Sequence, residues 1–126
     1  MRKHIQQTTR DEKAFIHGFI RANADKAWSC NGHFSDRATE RAFTLDDAKA
    51  CVKGGLVVEV HNDKNPDVRA LLRNSVGTCV VVSLKSWEII TVYYNDPTDE
   101  HHSLNWNAYR WPVNLVSLVK DLRRAA

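Results

Sequence analysis

A histidine and two arginines follow one another at four-residue spacing within residues 30–47, in the segment CNGHFSDRATERAFTLDD. They are His33, Arg37 and Arg41. On a helix, residues at this spacing lie within about 80° of one another, because each step of four adds roughly 40°. An imidazole beside two guanidinium groups is suited to hold a phosphodiester and to move a proton at it. The pattern indicates a phosphate-handling helix face. The alternative is a solvated face on which the arginines pair with neighbouring carboxylates.

Two strand-like segments add polar residues that alternation brings to one face. Arg69 and Arg73 are four residues apart in VRALLRNS, and Thr91 and Tyr93 are two apart in EIITVYYN. Because side chains alternate across a strand, each pair lies on a single face. We expect a sheet whose apolar face packs on helices to present these residues in a cleft beside His33, with the arginines binding substrate. The alternative is that threonine and tyrosine are there because they are good strand formers.

Metal and thiol chemistry have weaker signals in this chain. A zinc site would combine the C-x2-H pair of Cys30 and His33 with a distant His-His dipeptide at 101–102, which is not a regular structural zinc spacing. The three cysteines are widely spaced and form no CxxC. They are therefore expected to be reduced and to pack as small hydrophobic residues. We expect no metal and no cofactor.

The hydrophobic periodicity predicts the helices that must position these residues. A helical stripe predicts a first helix over residues 11–28. Asn31 is the expected N-cap of a second helix, which carries His33, and Thr44 the expected N-cap of a third, short helix ending at Gly54–Gly55. Pro112 opens an amphipathic C-terminal helix over residues 112–124.

Between the third and the last predicted helix the hydrophobic period changes to two. Four Val-, Ile- and Tyr-rich runs follow one another with short joins, GLVVEVHND, DVRALLRNSV, TCVVVSLKS and EIITVYYND. They predict a four-stranded antiparallel meander, with no strand before residue 30. In the last run, alternation groups Ile89 with Thr91 and Tyr93. The predicted fold class is α+β, with N-terminal helices packed on a four-stranded antiparallel sheet and a C-terminal helix.

Length and composition limit the classes of protein. The 126 residues are 43% hydrophobic and 26% charged, which suits one domain spanning residues 1–126. A formal net charge of +3 tolerates a polyanion without requiring one. Nowhere are there about 18 consecutive apolar residues, as a membrane span requires. We expect a cytoplasmic protein that does not act at a membrane.

The order of these motifs resembles a known family. The H-x3-R-x3-R-x2-T pattern from His33 to Thr44, a short helix ending at Gly55, the run VVEVHND and the final strand EIITVYYND resemble the bacterial and phage family catalogued as domain of unknown function 4258. The resemblance covers about residues 31–96, with the helices over 11–28 and 112–124 as additions. It implies the small α+β, RelE- and barnase-like fold of metal-independent toxin ribonucleases.

The resemblance also implies a function: an RNase-like toxin or mobile-element relative that cleaves RNA by acid/base transphosphorylation and has a neutralising antitoxin as partner. His33 would act as general base or acid, and Arg37 and Arg41 would stabilise the charge on the phosphorane. Thr91 and Tyr93 would hydrogen-bond a non-bridging oxygen or assist proton transfer. The alternative is a non-enzymatic phage or bacterial inhibitor or adaptor on the same fold that binds a host protein or nucleic acid.

One aromatic segment lies outside this resemblance. HHSLNWNAYRWP, residues 101–112, carries two tryptophans, a tyrosine and an arginine. Such a composition is typical of an interface anchor, but also of a loop pinned on its own core. We expect the second arrangement, in which Trp106 is buried and its replacement by Ala costs about 3–5 kcal/mol.

Overall fold

The structure, a computed structural model, describes residues 1–26, 29–30 and 43–124. The helix predicted to begin at Asn31, with His33, Arg37 and Arg41, lies outside these residues. Within them, the helices are α1 (Arg10–Ala22), α2 (Leu45–Gly54) and α3 (Leu115–Arg124), with single 3-10 turns at Ile5–Gln7, Ala24–Lys26 and Trp106–Ala108. The strands are β1 (Arg2–His4), β2 (Ser29–Cys30), β3 (Leu56–His61), β4 (Arg69–Arg73), β5 (Thr78–Ser83) and β6 (Glu88–Tyr94).

The described strands form one sheet in the order β1-β3-β4-β5-β6-β2. Strands β3 to β6 are the predicted antiparallel meander, which confirms the α+β class. The prediction that no strand precedes residue 30 is wrong, because β1 pairs antiparallel with β3 and β2 pairs parallel with β6. These edge strands have only three and two residues. Segments so short carry no alternating pattern, and they become strands only because a neighbouring strand is present to pair with them.

Local capping interactions determine where the helices begin. Thr44 caps α2 as predicted: its side chain accepts a hydrogen bond from the Asp47 N–H, and the Asp47 carboxylate accepts one from the Thr44 N–H. Thr9 and Glu12 form the same capping box at the start of α1. Helix α1 ends at Ala22, six residues before the predicted end at residue 28. Helix α3 begins at Leu115, three residues after Pro112.

The three α-helices that the structure describes pack on one face of the sheet, and none of them packs on the other face. Alternate residues of β3 to β6, such as Val60, Leu72, Val80 and Val92, pack with the helices in one buried apolar cluster. The intervening residues face the other way and form the open face of the sheet. A smaller apolar cluster around Cys79 forms the middle of this face, and polar side chains surround it.

A β-bulge in β6 changes which of its residues share a face of the sheet. Ile89 pairs with Val82 and Thr91 pairs with Val81, so that Ile90 is an extra residue in the ladder. Ile89 therefore packs in the helix-side cluster, and the prediction that it shares a face with Thr91 and Tyr93 is wrong. The bulge keeps apolar side chains on the helix side while the strand still presents Thr91 and Tyr93 on the open face.

Candidate functional site

A loop crosses the open face of the sheet from β6 to β1. This crossing loop, residues 95–111, contacts three strands in turn. Tyr93 of β6 is hydrogen-bonded to its His101, the Glu59 carboxylate of β3 accepts a hydrogen bond from its Tyr109 hydroxyl, and the His4 ring of β1 bonds the carbonyl oxygen of His101. The loop is therefore held by side chains, and it divides the open face into two grooves.

The first groove has a volume of about 390 Å³, and we call it the Thr91 groove. Its floor is apolar, formed by Leu71, Val81 and Ile90. Its polar lining residues are Arg2, Glu59, His61, Asp63, Lys64, Arg69, Thr91, Tyr93 and Ser103. Apolar surface gives a ligand site its contact area, and polar groups around it orient the ligand.

The second groove is larger, about 690 Å³, and we call it the Arg73 groove. Residues His4 to Gln6 form one wall, the start of β3 and the end of β4 form its base, and the crossing loop from Pro97 to His101 closes it. It lies on the far side of the crossing loop from the Thr91 groove.

The structure brings together three of the strand residues that the sequence singled out. Arg69, Thr91 and Tyr93 all line the Thr91 groove, whereas Arg73 lines the other groove. Arg69 donates from Nε to Asp67 at 2.9 Å, and its two terminal nitrogens make no hydrogen bond within the described residues. Because His33, Arg37 and Arg41 lie outside the described residues, their convergence with Thr91 and Tyr93 stays a prediction.

Arg73 is held at the start of the crossing loop. Its Nη1 donates to the side chain of Asn95 and to the carbonyl oxygen of Asp96, the latter at 2.8 Å. Its Nε and Nη2 make no hydrogen bond within the part of the chain that the structure describes. One edge of the guanidinium group thus fixes the loop, and the other edge stays available to an anion.

A short hydrogen bond on the open face joins a histidine to a tyrosine. The Tyr93 hydroxyl lies 2.6 Å from Nε2 of His101. Burial lowers the pKa of His101, with Arg73 acting in the same direction and Glu59 opposing it. Burial likewise raises the pKa of Tyr93 above its ordinary value, so that the hydroxyl stays protonated. At neutral pH the pair is a neutral imidazole beside a neutral phenol.

A buried carboxylate supports the neighbouring end of the crossing loop. Glu59 is only 1% exposed and accepts hydrogen bonds from Arg2 Nη1 at 3.2 Å and from the Tyr109 hydroxyl at 3.3 Å. Arg2 also donates to Ser103 Oγ at 2.6 Å. Beside this cluster, burial lowers the pKa of His61, and the charge of Arg2 adds to the effect. A buried charge needs such partners, so removing any one of them leaves an uncompensated group.

Sequence reasoning missed the groove residues Arg2, Glu59 and His61, and it considered His101 only as a metal ligand. A signal for two of them was present, because Glu59 and His61 interrupt the apolar run VVEVH at alternate positions. A charged residue inside an apolar strand indicates a polar face or a buried ion pair. Arg2 and His101 lie far from this strand in sequence, and no local pattern marks them.

The aromatic segment behaves differently from the prediction. Trp106 is 41% exposed, so the expected burial of this residue is wrong. Its ring contacts His4 and His102, with ring centres 5.4 and 5.0 Å away. Tyr109, which is buried, anchors the loop instead, because its hydroxyl also accepts hydrogen bonds from the backbone of residues 103 and 104. The small phenol fits under the loop, and the larger indole lies at its surface.

The described residues give little support to thiol or metal chemistry. Burial raises the pKa of Cys51 to about 12 and that of Cys79 to about 11, so both thiols stay protonated. Both are free and buried, which confirms the prediction for these two residues. No three histidine, cysteine or acidic side chains among the described residues are grouped as a metal would require. No described helix has the length and apolar character to cross a membrane.

Comparison with known proteins found no matching family model, no similar curated protein and no similar solved structure. The resemblance to domain of unknown function 4258 therefore stays a prediction.

Proposed function

We propose that this chain is a small RNase-like domain that cleaves RNA without a metal, by acid/base transphosphorylation. The observation that carries the proposal is that Arg69, Thr91 and Tyr93, singled out from strand alternation alone, line one groove on the sheet face opposite the described helices. A groove formed by the sheet offers rigid backbone positions for catalytic side chains.

The chemistry needs a base, an acid and a cation. The 2′-oxygen of a ribose attacks the adjacent phosphorus, its proton goes to the base, and the bond to the 5′-oxygen breaks as that oxygen takes a proton from the acid. The terminal nitrogens of Arg69, which make no hydrogen bond within the described residues, can bind a phosphate oxygen of the RNA, and the Thr91 hydroxyl can donate to the same phosphate. His33, with Arg37 and Arg41, is proposed on the sequence alone as the acid/base group.

The floor of the Thr91 groove favours an unpaired nucleotide over a duplex. Leu71, Val81 and Ile90 form an apolar surface beside the Tyr93 side chain. An unstacked base can lie on such a surface, whereas the bases of a helix are stacked on each other. The net charge of +3 suits contact with a few phosphates and predicts a modest dependence of binding on salt.

The test is cleavage of a short, end-labelled, single-stranded RNA by the purified protein in the presence of a metal chelator. The expected product ends in a 2′,3′-cyclic phosphate, and DNA of the same sequence stays intact because it has no 2′-hydroxyl. We expect Arg69→Ala to lower kcat/KM at least about tenfold, as loss of one charge-assisted hydrogen bond would. Arg21→Ala removes an exposed arginine from α1, which packs on the other face, and is the matched control. Equal effects of the two variants would contradict the assignment of this groove.

A second experiment tests the toxin role in cells. Induced expression should arrest growth and degrade cellular RNA, and His33→Ala should abolish both effects. Coexpression with a neutralising antitoxin should restore growth.

One observation favours the alternative, a non-enzymatic adaptor. Trp106 is 41% exposed on the crossing loop, and Arg110, four residues further along the same loop, is exposed too. Tryptophan and arginine contribute more than other residues to protein interfaces. An adaptor would leave growth and RNA intact, and Trp106→Ala would abolish its binding to a host protein while the fold is retained.

A further inference from the structure

The hydrogen bond between Tyr93 and His101 joins the two grooves of the open face. Tyr93 lines the Thr91 groove and His101 lines the Arg73 groove, and the bond of 2.6 Å between them ties the crossing loop to β6. The backbone of His101 is fixed as well, because its carbonyl oxygen lies 2.8 Å from Nε2 of His4. His101 is therefore held at its ring and at its backbone although it belongs to a loop.

One nitrogen of this ring remains free for a substrate. Nε2 is engaged by Tyr93, whereas Nδ1 makes no hydrogen bond within the described residues. The tyrosine hydroxyl can donate to Nε2 or accept from it, so the ring can carry its exchangeable proton on Nδ1 or leave Nδ1 as a base. Because the Tyr93 hydroxyl can bond the ring in either protonation state, the ring can both accept and give a proton at Nδ1.

The Arg73 groove also contains a positively charged side chain that can bind a phosphate. Arg73 lines the same groove as His101, and its Nε and Nη2 make no hydrogen bond among the residues described. The carboxylates of Asp99 and Glu100 line the groove too, but both residues are exposed, so water and salt screen their repulsion of an anion. Arg73 is held at its other edge and lies on a strand, which keeps its orientation fixed.

We propose that His101 is an acid/base catalytic residue for RNA cleavage, that Tyr93 positions its ring, and that Arg73 binds the scissile phosphate. This inference rests on the proposed function. His101 Nδ1 takes the proton of the attacking 2′-hydroxyl or gives one to the departing 5′-oxygen, and a second group performs the other transfer. The new bond joins the 2′-oxygen to phosphorus, the bond to the 5′-oxygen breaks, and no net proton is consumed.

The experiment compares His101→Ala, Tyr93→Phe and His102→Ala in the RNA cleavage assay with chelator present. His102 is the matched control, because it is the next residue of the same loop and contacts His4 and Trp106. We expect His101→Ala to lower kcat about 10²- to 10⁴-fold, and added imidazole to restore part of the activity. Tyr93→Phe should lower kcat about tenfold at unchanged KM, since the ring is still present but less well oriented. His102→Ala should stay close to the wild type.

The outcomes separate the inference from the proposed function. Wild-type protein that leaves RNA intact overturns both. Cleavage that is as fast in His101→Ala as in the wild type overturns the inference and leaves the proposed function standing. Lost activity that imidazole does not restore assigns His101 a structural role, which also overturns the inference. The thermal midpoints of the two histidine variants show whether they are equally well folded.

Discussion

The carboxylate of Glu12 ties three elements together, and its replacement by Gln should strongly destabilise the protein. One oxygen, Oε2, accepts hydrogen bonds from Lys3 Nζ at 2.9 Å and from the Leu115 N–H at 3.0 Å. The other, Oε1, accepts one from the Thr9 N–H at 3.2 Å. Glu12 thereby joins β1 to the start of α1 and to the start of α3.

The expected loss of unfolding free energy follows from the burial of the Lys3–Glu12 ion pair. The side chains of Lys3 and Glu12 are 10% and 5% exposed, so water screens their interaction little. In Glu12→Gln an NH2 group must face either the Thr9 N–H or the other two donors, and Lys3 loses its counter-charge. Breaking a buried ion pair from one side costs about 3–5 kcal/mol. For a chain of this length, that lowers the midpoint of thermal unfolding by roughly 12–20 °C.

The assay is denaturant and thermal unfolding at neutral pH, with Asp11→Asn as the control. Asp11 is in the same first turn of α1 but is exposed, so its loss should cost only about 0.3–1 kcal/mol. Burial alone would raise the pKa of Glu12, but the hydrogen bonds from Lys3 and the two backbone groups outweigh it and lower the pKa. The stabilisation is therefore present above the ordinary pKa and is lost as the pH falls through the lower, folded-state value, so the gap between the wild type and Glu12→Gln should shrink in acid. A cost equal to that of Asp11→Asn, or a gap independent of pH, would refute this reasoning.

Three further outcomes can be checked on the same protein. Because burial lowers the pKa of His4 and His101, the folded state binds fewer protons than the unfolded chain below the ordinary value of about 6.5. Thermal midpoints should therefore fall between pH 7 and pH 5, and a flat profile would contradict this. Cys51, whose pKa burial raises to about 12, should resist iodoacetamide until the protein unfolds, as peptide mass mapping can show. Trp106→Ala should cost roughly half of the 3–5 kcal/mol typical of a buried aromatic residue, and clearly less than Tyr109→Ala, in denaturant unfolding.

Local sequence determined the elements whose interactions are themselves local. Thr44 and Asp47 lie three residues apart and satisfy each other's backbone groups, so the start of α2 can be recognised without knowing what surrounds it. The change of hydrophobic period after Gly55 predicts the meander for the same reason, since each strand carries its own alternation. The grouping of Arg69 with Arg73, and of Thr91 with Tyr93, on the open face follows from that alternation.

Only the tertiary structure decided which distant groups meet. The bulge at Ile90 arises from pairing with β5, and it reverses the face of Ile89 without any local mark in the sequence. His101 becomes a partner of Tyr93 only because the crossing loop returns over the open face to β1. The physical reason is that a hydrogen bond or an ion pair depends on distances of about 3 Å in space, which separation along the chain does not specify.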